Sequence, residues 1–136
     1  MNELTPYQKV KQFHKKFNLF IGDGKKLPKK EFDLGIRLIM EEFLELNEQI
    51  IYDHSKGLPS DNVEFIDAII DLIFVLYGML VRLGVDGDYL FDVIWEANMN
   101  KEGGVMREDG KLLKPKNWTP PQEKIREYLI KKGVLL

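Results

Sequence analysis

The sequence predicts an all-α fold of four to five helices, with a short irregular or hairpin flap before the last helix. Two observations support this prediction: helix-start patterns recur along the chain, and stretches rich in glycine and proline separate long segments with helical periodicity. The 136 residues are few enough for one domain and numerous enough for a real core. We therefore predict a single all-α domain over residues 1–136.

The first two helices are predicted from their boundaries. Thr5 and Gln8 form a capping-box pattern with a proline at the first helical position, which predicts a helix from about Pro6 to Phe17. The stretch "IGDGKKLP" predicts a loop, because two glycines and a proline interrupt any period. A second helical pattern covers roughly Lys29 to His54, and "SKGLPSD" ends it.

The remaining elements follow from similar patterns. Asp61 with Glu64 makes a second capping-box pattern and opens an apolar helix that closes before Gly84. A shorter helix is predicted from about Asp88 to Lys101 and is stopped by paired glycines. The tract "VMREDGKLLKPKNWTPP" contains a DG turn between short mixed runs, which predicts the flap, and Pro121 starts a final amphipathic helix.

Composition narrows the class of protein. The formal net charge of −2 argues against a surface that binds nucleic acid, and the absence of cysteine removes disulfides and thiolate metal sites. The N-terminal stretch is polar, and the longest apolar run, Leu72 to Val81, is about half of a membrane span. We expect a cytoplasmic protein without a membrane partner.

Acidic residues occur where burial is expected. The most apolar stretch, "VEFIDAIIDLIFVLYGML", carries three acids within an arc of roughly 60° on one helix face. These acids are Glu64, Asp67 and Asp71. The preceding helix carries a second acidic face, formed by Glu41, Glu42, Glu45 and Glu48.

These acids need a cation if the two faces are enclosed. Any one acid is adequately explained as part of a solvated face, with Arg37 pairing with Glu41 at i,i+4. A solvated face does not explain the whole set of acids, because Lys56 is the only lysine or arginine between Glu41 and Gly78. At an effective dielectric constant of about 20, two carboxylates roughly 6 Å apart repel by about 3 kcal/mol. A divalent metal is therefore expected, and all-oxygen ligation suits Mg²⁺, Mn²⁺ or Ca²⁺ rather than zinc.

Two motifs and a downstream tract carry a family resemblance. "EEFLE" at 41–45 matches EExxE, "EFID" at 64–67 matches ExxD, and 18 residues separate them. With "EANMNKEGGVMREDGKLLKPKNWTPP" downstream, nearly the whole chain resembles the all-α nucleoside triphosphate pyrophosphohydrolases, the superfamily of MazG-like and phosphoribosyl-ATP pyrophosphohydrolase-like enzymes. The resemblance implies a MazG-like helical bundle.

The resemblance also implies an activity and a cofactor. Such enzymes hydrolyse a nucleoside triphosphate to the monophosphate and pyrophosphate, by attack of water on the α-phosphorus, and a small member would clean the nucleotide pool. The expected cofactor is Mg²⁺, with Mn²⁺ as a substitute. Because two acidic helices are too small to bury both of their faces alone, we expect a homodimer or homotetramer.

The resemblance assigns roles to the acidic residues. The metal ligands are Glu42, Glu45, Glu64 and Asp67. Glu41 is either a further ligand or the base for the attacking water, so that Glu41 and Glu42 are the catalytic candidates. A second register, set on "DLIF", places Ala68 at the glutamate position and Asp71 at the aspartate position. We prefer the register that keeps both acids, with Asp71 as a possible extra ligand.

Substrate contacts are expected near the fourth helix and the flap. The resemblance makes Asn98 and Lys101, which are three residues apart, contacts for sugar and phosphate, whereas without it a polar helix end explains them equally well. Arg107 and the flap lysines Lys111, Lys114 and Lys116 could close over phosphates or form a solvated basic loop. Trp118 could stack on a base, but an aromatic side chain that anchors a proline-rich loop is the commoner outcome.

Two other functions stay open. The first is a phosphoribosyl-ATP pyrophosphohydrolase, and the second is a non-catalytic helical dimerisation module with a structural divalent ion. A di-iron bundle is set aside, because neither His14 nor His54 follows a glutamate by three residues. An EF-hand is set aside because "DGDYLFDVIWE" lacks the glycine of the sharp turn.

Overall fold

A computed structural model describes residues 3–51, 58–59 and 61–134 of the chain. These residues form five helices and no β-strand apart from one isolated bridge, which confirms the all-α prediction for the described part of the chain. They fall into two compact units, Met1–Val85 (unit 1) and Asp86–Leu136 (unit 2). The single domain over 1–136 stays a prediction.

Unit 1 contains the first three helices, whose bounds follow the predicted ones closely. They are α1 (Pro6–Lys16), α2 (Lys29–Ile51) and α3 (Asn62–Leu83). The predicted end of α2, at His54, lies outside the described residues.

Local hydrogen bonds account for the ends of these helices. The Thr5 hydroxyl accepts from the Gln8 amide at 3.1 Å, and the Gln8 side chain accepts from the Thr5 amide at 2.9 Å, so the capping box is complete. The Asp61 carboxylate accepts from the Val63 amide at 2.8 Å and starts α3. Gly84 ends α3 in the left-handed conformation, with φ of 73°.

The core of unit 1 forms where α1 packs on α3, and α2 also packs on α3. Tyr7, Val10 and Val81 are buried together, and Tyr77 and Leu80 pack against them. The Tyr7 hydroxyl donates to the Val85 carbonyl oxygen at 2.7 Å, which satisfies the polar end of a buried aromatic side chain.

Unit 2 contains α4 (Gly87–Met99), a hairpin and α5 (Gln122–Lys132). The Asp86 carboxylate caps α4 by accepting from the Tyr89 amide at 3.1 Å. The α4 helix packs against α5, and the rings of Tyr89 and Tyr128 stack with centroids 5.3 Å apart. The final helix begins directly after Pro121, as predicted.

The flap is a hairpin. Met106 and Leu112 form an antiparallel bridge, and the Leu113 amide donates to the Val105 carbonyl oxygen at 2.9 Å. The turn contains Asp109 and Gly110, the predicted DG pair, and Gly110 has φ of 95°. This is the hairpin form of the two predicted alternatives.

Within the described part of the chain, no single helix has the length and apolar character needed to cross a membrane. The pair α3 and α4 reaches that length and composition only when the two helices are taken together.

Candidate functional site

Three carboxylates from two neighbouring helices converge in unit 1. Glu42 and Glu45 come from α2, and Asp71 comes from α3. Each offers one oxygen, and the three oxygens all lie within 4.8 Å of one another. We call Glu42, Glu45 and Asp71 the acidic cluster.

Helix geometry explains why these three residues meet. Positions three apart on a helix share a face, so Glu42 and Glu45 both point to the same side of α2. Ala68, three positions before Asp71 on α3, is only 2% exposed. Its small side chain is consistent with the packing of α3 against α2.

The electrostatics of the acidic cluster disfavour its charged form. Burial raises the pKa of Glu42, a hydrogen bond with Glu45 raises it further, and the charges of Asp71, Glu45 and Glu41 add to the effect. Burial likewise raises the pKa of Asp71, followed by the charge of Asp67, a hydrogen bond with Asp67 and the charge of Glu45. Burial and neighbouring negative charges thus disfavour the ionised forms of Glu42 and Asp71, and a bound cation would favour them.

No base compensates the cluster among the described residues. The ion pairs found there involve none of its three members. The Oε2 atom of Glu42 is buried and has no hydrogen-bond partner in the described part of the chain. A buried carboxylate oxygen without a donor is costly, and a bound cation would remove that cost.

The donor set fits a hard divalent cation. All three candidate ligand atoms are carboxylate oxygens, which suit Mg²⁺, Mn²⁺ or Ca²⁺. The orphaned Glu42 oxygen provides a position that a cation would satisfy. The residues present therefore fit a divalent metal centre.

The remaining predicted acids differ in how they affect the cluster. The charge of Asp67 helps to raise the pKa of Asp71, and the charge of Glu41, which is exposed, helps to raise the pKa of Glu42. Glu64 is exposed and is not among the groups that perturb Glu42 or Asp71. The structure thus brings together two predicted ligands, Glu42 and Glu45, with Asp71, which is the aspartate of the second register.

The predicted substrate residues lie in unit 2. Asn98 is exposed on α4, and its side-chain amide donates to the Ile94 carbonyl oxygen at 3.0 Å. Arg107 is held in the hairpin by Asp109, whose two carboxylate oxygens accept from the guanidinium at 2.7 and 2.6 Å. That pair raises the pKa of Arg107 and lowers the pKa of Asp109.

Lys101 and Trp118 are brought together, although 16 residues separate them in the sequence. The Lys101 ammonium lies 5.4 Å from the centroid of the Trp118 ring. The indole N–H of Trp118 donates to the Ala97 carbonyl oxygen at 2.6 Å, so this side chain anchors the segment before α5 to α4.

Two residues have a larger role in the structure than the sequence predicts. The preferred register makes Asp71 only a possible extra ligand, although "DLIF" indicates the register that uses it. Lys114 was one of several flap lysines, and no sequence pattern distinguished it from the others. Its ammonium lies 5.1 Å from the centroid of the Trp118 ring.

Comparison with known proteins identifies a family. Residues 10–98 match the family model of phosphoribosyl-ATP pyrophosphohydrolase. The match includes every acid of α2 and α3 discussed above, and ends before the hairpin. A search of curated proteins gave no match.

Proposed function

The chain belongs to the phosphoribosyl-ATP pyrophosphohydrolase family, part of the MazG-like superfamily, and on that premise we propose that it hydrolyses a nucleoside triphosphate to the monophosphate and pyrophosphate with Mg²⁺. The family makes it a pyrophosphohydrolase that acts on acid anhydrides. The observation that carries the proposal is the acidic cluster, whose three oxygens converge without a compensating base among the described residues.

In this proposal Glu42, Glu45 and Asp71 hold the metal ion. When bound, Mg²⁺ neutralises charge on phosphate oxygens and acidifies a water molecule. Glu41 is exposed beside Glu42 on α2 and is proposed as the group that takes a proton from the attacking water. Asp67, whose charge acts on Asp71, is proposed as a further ligand. Glu64 stays a predicted ligand.

Substrate contacts in unit 2 are part of the same proposal. The Asn98 amide keeps its side-chain oxygen available while its nitrogen donates to the Ile94 carbonyl, which suits an acceptor for a sugar hydroxyl. Lys101 supplies a positive charge for phosphate. Arg107 uses two of its five N–H donors on Asp109, and its remaining donors are proposed to contact phosphate.

A second candidate substrate is favoured by the family match itself. The matching family is described as phosphoribosyl-ATP pyrophosphohydrolase, so phosphoribosyl-ATP is an equally consistent substrate. The chemistry required of the acidic cluster is the same, because a pyrophosphate group leaves in both cases. The two candidates differ in what occupies the rest of the binding site.

The test is a substrate panel with product analysis. Canonical ribonucleoside and deoxynucleoside triphosphates and phosphoribosyl-ATP are each incubated with protein and Mg²⁺, and the nucleotide product and pyrophosphate are separated by chromatography. We expect equal amounts of a nucleoside monophosphate and pyrophosphate from at least one triphosphate, and none after chelation of the metal. Glu45→Gln should lower kcat by about a hundredfold or more, since removing a metal ligand costs several kcal/mol of transition-state stabilisation.

Two other results of the substrate panel would each favour one of the alternative functions. If phosphoribosyl-ATP alone is hydrolysed, it is the substrate in place of a nucleoside triphosphate. Absence of turnover with every substrate would overturn the enzymatic proposal and favour a non-catalytic helical module with a structural divalent ion.

We also propose that the protein is a cytoplasmic homodimer or homotetramer that binds neither nucleic acid nor membranes. An apolar stripe on α2 supports self-association, because its side chains are large, share one helix face and are 41% to 52% exposed. The stripe consists of Phe32, Ile36, Met40, Phe43 and Ile50. Analytical ultracentrifugation tests the proposal, and a monomer at micromolar concentration would contradict it.

A further inference from the structure

Two lysines of unit 2 converge on one tryptophan ring. The ammonium groups of Lys101 and Lys114 lie 5.4 and 5.1 Å from the ring centroid of Trp118. Ammonium groups at these distances are attracted by the electron-rich face of an indole. The two nitrogens are therefore no farther apart than the sum of those distances, a span that a polyphosphate chain can bridge.

The ring that holds these lysines is itself fixed in place. The indole N–H of Trp118 donates to the Ala97 carbonyl oxygen at 2.6 Å, and its backbone amide donates to the Pro115 carbonyl oxygen at 3.2 Å. Because the side chain is also half-buried, the indole is a rigid support between α4 and the segment that leaves the hairpin.

The backbone brings the two lysine segments close to each other. The Gly104 amide donates to the Lys101 carbonyl oxygen at 3.0 Å. A Cβ atom at Gly104 would lie 2.2 Å from the Leu113 carbonyl oxygen, so only glycine permits this approach. Lys101 and Lys114 are therefore adjacent through both backbone packing and a shared aromatic contact.

The charges of these lysines are uncompensated within the described part of the chain. Neither ammonium group forms an ion pair with a described carboxylate. In the same unit, Arg107 pairs with Asp109 and Lys124 pairs with Glu96. Two positive charges held at one ring repel each other, and a multiply charged anion would relieve that repulsion.

We infer that Lys101 and Lys114, held by Trp118, form a binding site for the polyphosphate chain of a nucleotide. The lysines bind phosphate oxygens, and Trp118 acts as a positioning residue rather than as a platform for the base. Only the identity of the anion rests on the proposed function. Lys101 is already expected to contact phosphate; the role of Lys114 and the support of both lysines by Trp118 are the additions. All three residues lie outside the family match over residues 10–98.

Binding of inorganic tripolyphosphate tests the inference without relying on catalysis. Affinity is measured by titration calorimetry at low salt without divalent metal, for the wild-type protein, Lys101→Gln, Lys114→Gln and Lys131→Gln. We expect each of the first two variants to bind about tenfold more weakly. Lys131 is an exposed lysine of α5, and Lys131→Gln removes the same charge from the same unit. It should bind within about twofold of the wild-type protein.

Substitution of the ring tests its positioning role. Trp118→Leu should weaken tripolyphosphate binding at least as much as Lys114→Gln does, because it removes the support of both lysines. Combined with Lys114→Gln, it should weaken binding by less than the product of the two single effects, because the two changes share one interaction. Trp118→Phe keeps an aromatic face and should recover part of the affinity. Circular dichroism checks that each variant is folded, and the lysine variants remain decisive if Trp118→Leu is not.

The outcomes separate this inference from the proposed function. Wild-type protein that fails to bind tripolyphosphate, or Lys114→Gln that binds it as tightly as wild type, overturns the inference even if nucleotides are hydrolysed. If the protein hydrolyses no nucleotide but binds tripolyphosphate in a way that depends on Lys114, the polyphosphate site is supported. Only the proposed hydrolysis is then contradicted.

Discussion

Glu42 on α2 and Asp71 on α3 each place a carboxylate oxygen within 4.8 Å of the other, and Glu45 lies within the same distance of both. At an effective dielectric constant of about 20, two full charges at such a separation repel by about 3 kcal/mol, and less where solvent screens them. Burial is the main cause of the raised pKa values of Glu42 and Asp71, and neighbouring carboxylates raise them further. A divalent cation bound by the cluster would offset the repulsion between its charges.

Asp71→Asn should separate stability from metal binding. Without metal, the variant should be as stable as the wild-type protein or more so, because one repelling charge is removed. With Mg²⁺ at a hundred times its dissociation constant, the wild-type protein should gain about 2.7 kcal/mol by mass action, and the variant should gain much less. Thermal unfolding with and without Mg²⁺ measures both effects.

A control variant makes this comparison specific. Asp92 is an exposed carboxylate on α4, and Asp92→Asn should keep the wild-type response to Mg²⁺. If Asp71→Asn also keeps that response in full, Asp71 does not bind the metal, and the register through Glu64 and Asp67 becomes the better assignment.

Local patterns predicted the helices well, because the interactions that define them are local. The Thr5 and Gln8 capping box joins residues three apart, and Asp61 accepts from amides two and three positions later. The end of α3 at Gly84 likewise follows a local pattern, because glycine adopts the left-handed conformation readily.

The choice between Asp67 and Asp71 could not be made from local patterns. The two residues are four positions apart and differ by only about 40° around the helix axis, so both belong to one face. The rotation of α3 against α2 decides which carboxylate meets Glu42 and Glu45, and that rotation depends on packing of the whole helix. The hydrogen bond between Trp118 and Ala97 was unpredictable for the same reason, because it joins residues 21 apart.

His14 should make the stability of the protein depend on pH. Its ring is 3% exposed, and its Nδ1–H donates to the Phe20 carbonyl oxygen at 2.8 Å. Burial lowers the pKa of His14 and Arg82 lowers it further, against the hydrogen bond to Phe20 and the charge of Glu31, which raise it. Between the lowered pKa of the folded protein and pH 6.5, the unfolded chain therefore binds more protons at His14 than the folded protein does.

Neutral His14 stabilises the folded protein more at neutral pH than at acidic pH. The stability contributed by neutral His14 is fully present above pH 6.5 and is lost as pH falls from 6.5 to the lowered pKa of the folded protein. His14→Asn should be less stable overall but should lose less stability between pH 7.5 and 5.5 than the wild-type protein. Urea unfolding at the two pH values measures this, and equal losses in both proteins would rule out His14 as the source.

Gly104→Ala should disturb the polyphosphate site without affecting the acidic cluster. The new Cβ atom would lie 2.2 Å from the Leu113 carbonyl oxygen and 3.0 Å from that of Lys101, so the backbone must shift. We expect a loss of about 1–3 kcal/mol in stability and several-fold weaker tripolyphosphate binding, with unchanged binding of divalent metal.

Gly133→Ala provides the control for this substitution. Gly133 also has positive φ, 66°, but a Cβ atom there meets nothing within 4 Å. This variant should pay a cost in backbone strain and keep its affinity for tripolyphosphate. Equal losses of affinity in the two variants would show that the packing around Gly104 is not what brings the lysines together.

Direct binding of Mn²⁺ tests the central claim, which is that Glu42, Glu45 and Asp71 hold a divalent cation. Electron paramagnetic resonance measures free Mn²⁺ as protein is added without nucleotide, for the wild-type protein, Glu42→Gln and the Asp92→Asn control. We predict that the wild-type protein and the control remove Mn²⁺ from solution, that Mg²⁺ displaces it, and that Glu42→Gln binds it at least tenfold more weakly. Binding by Glu42→Gln as tight as that of the wild-type protein would contradict the account.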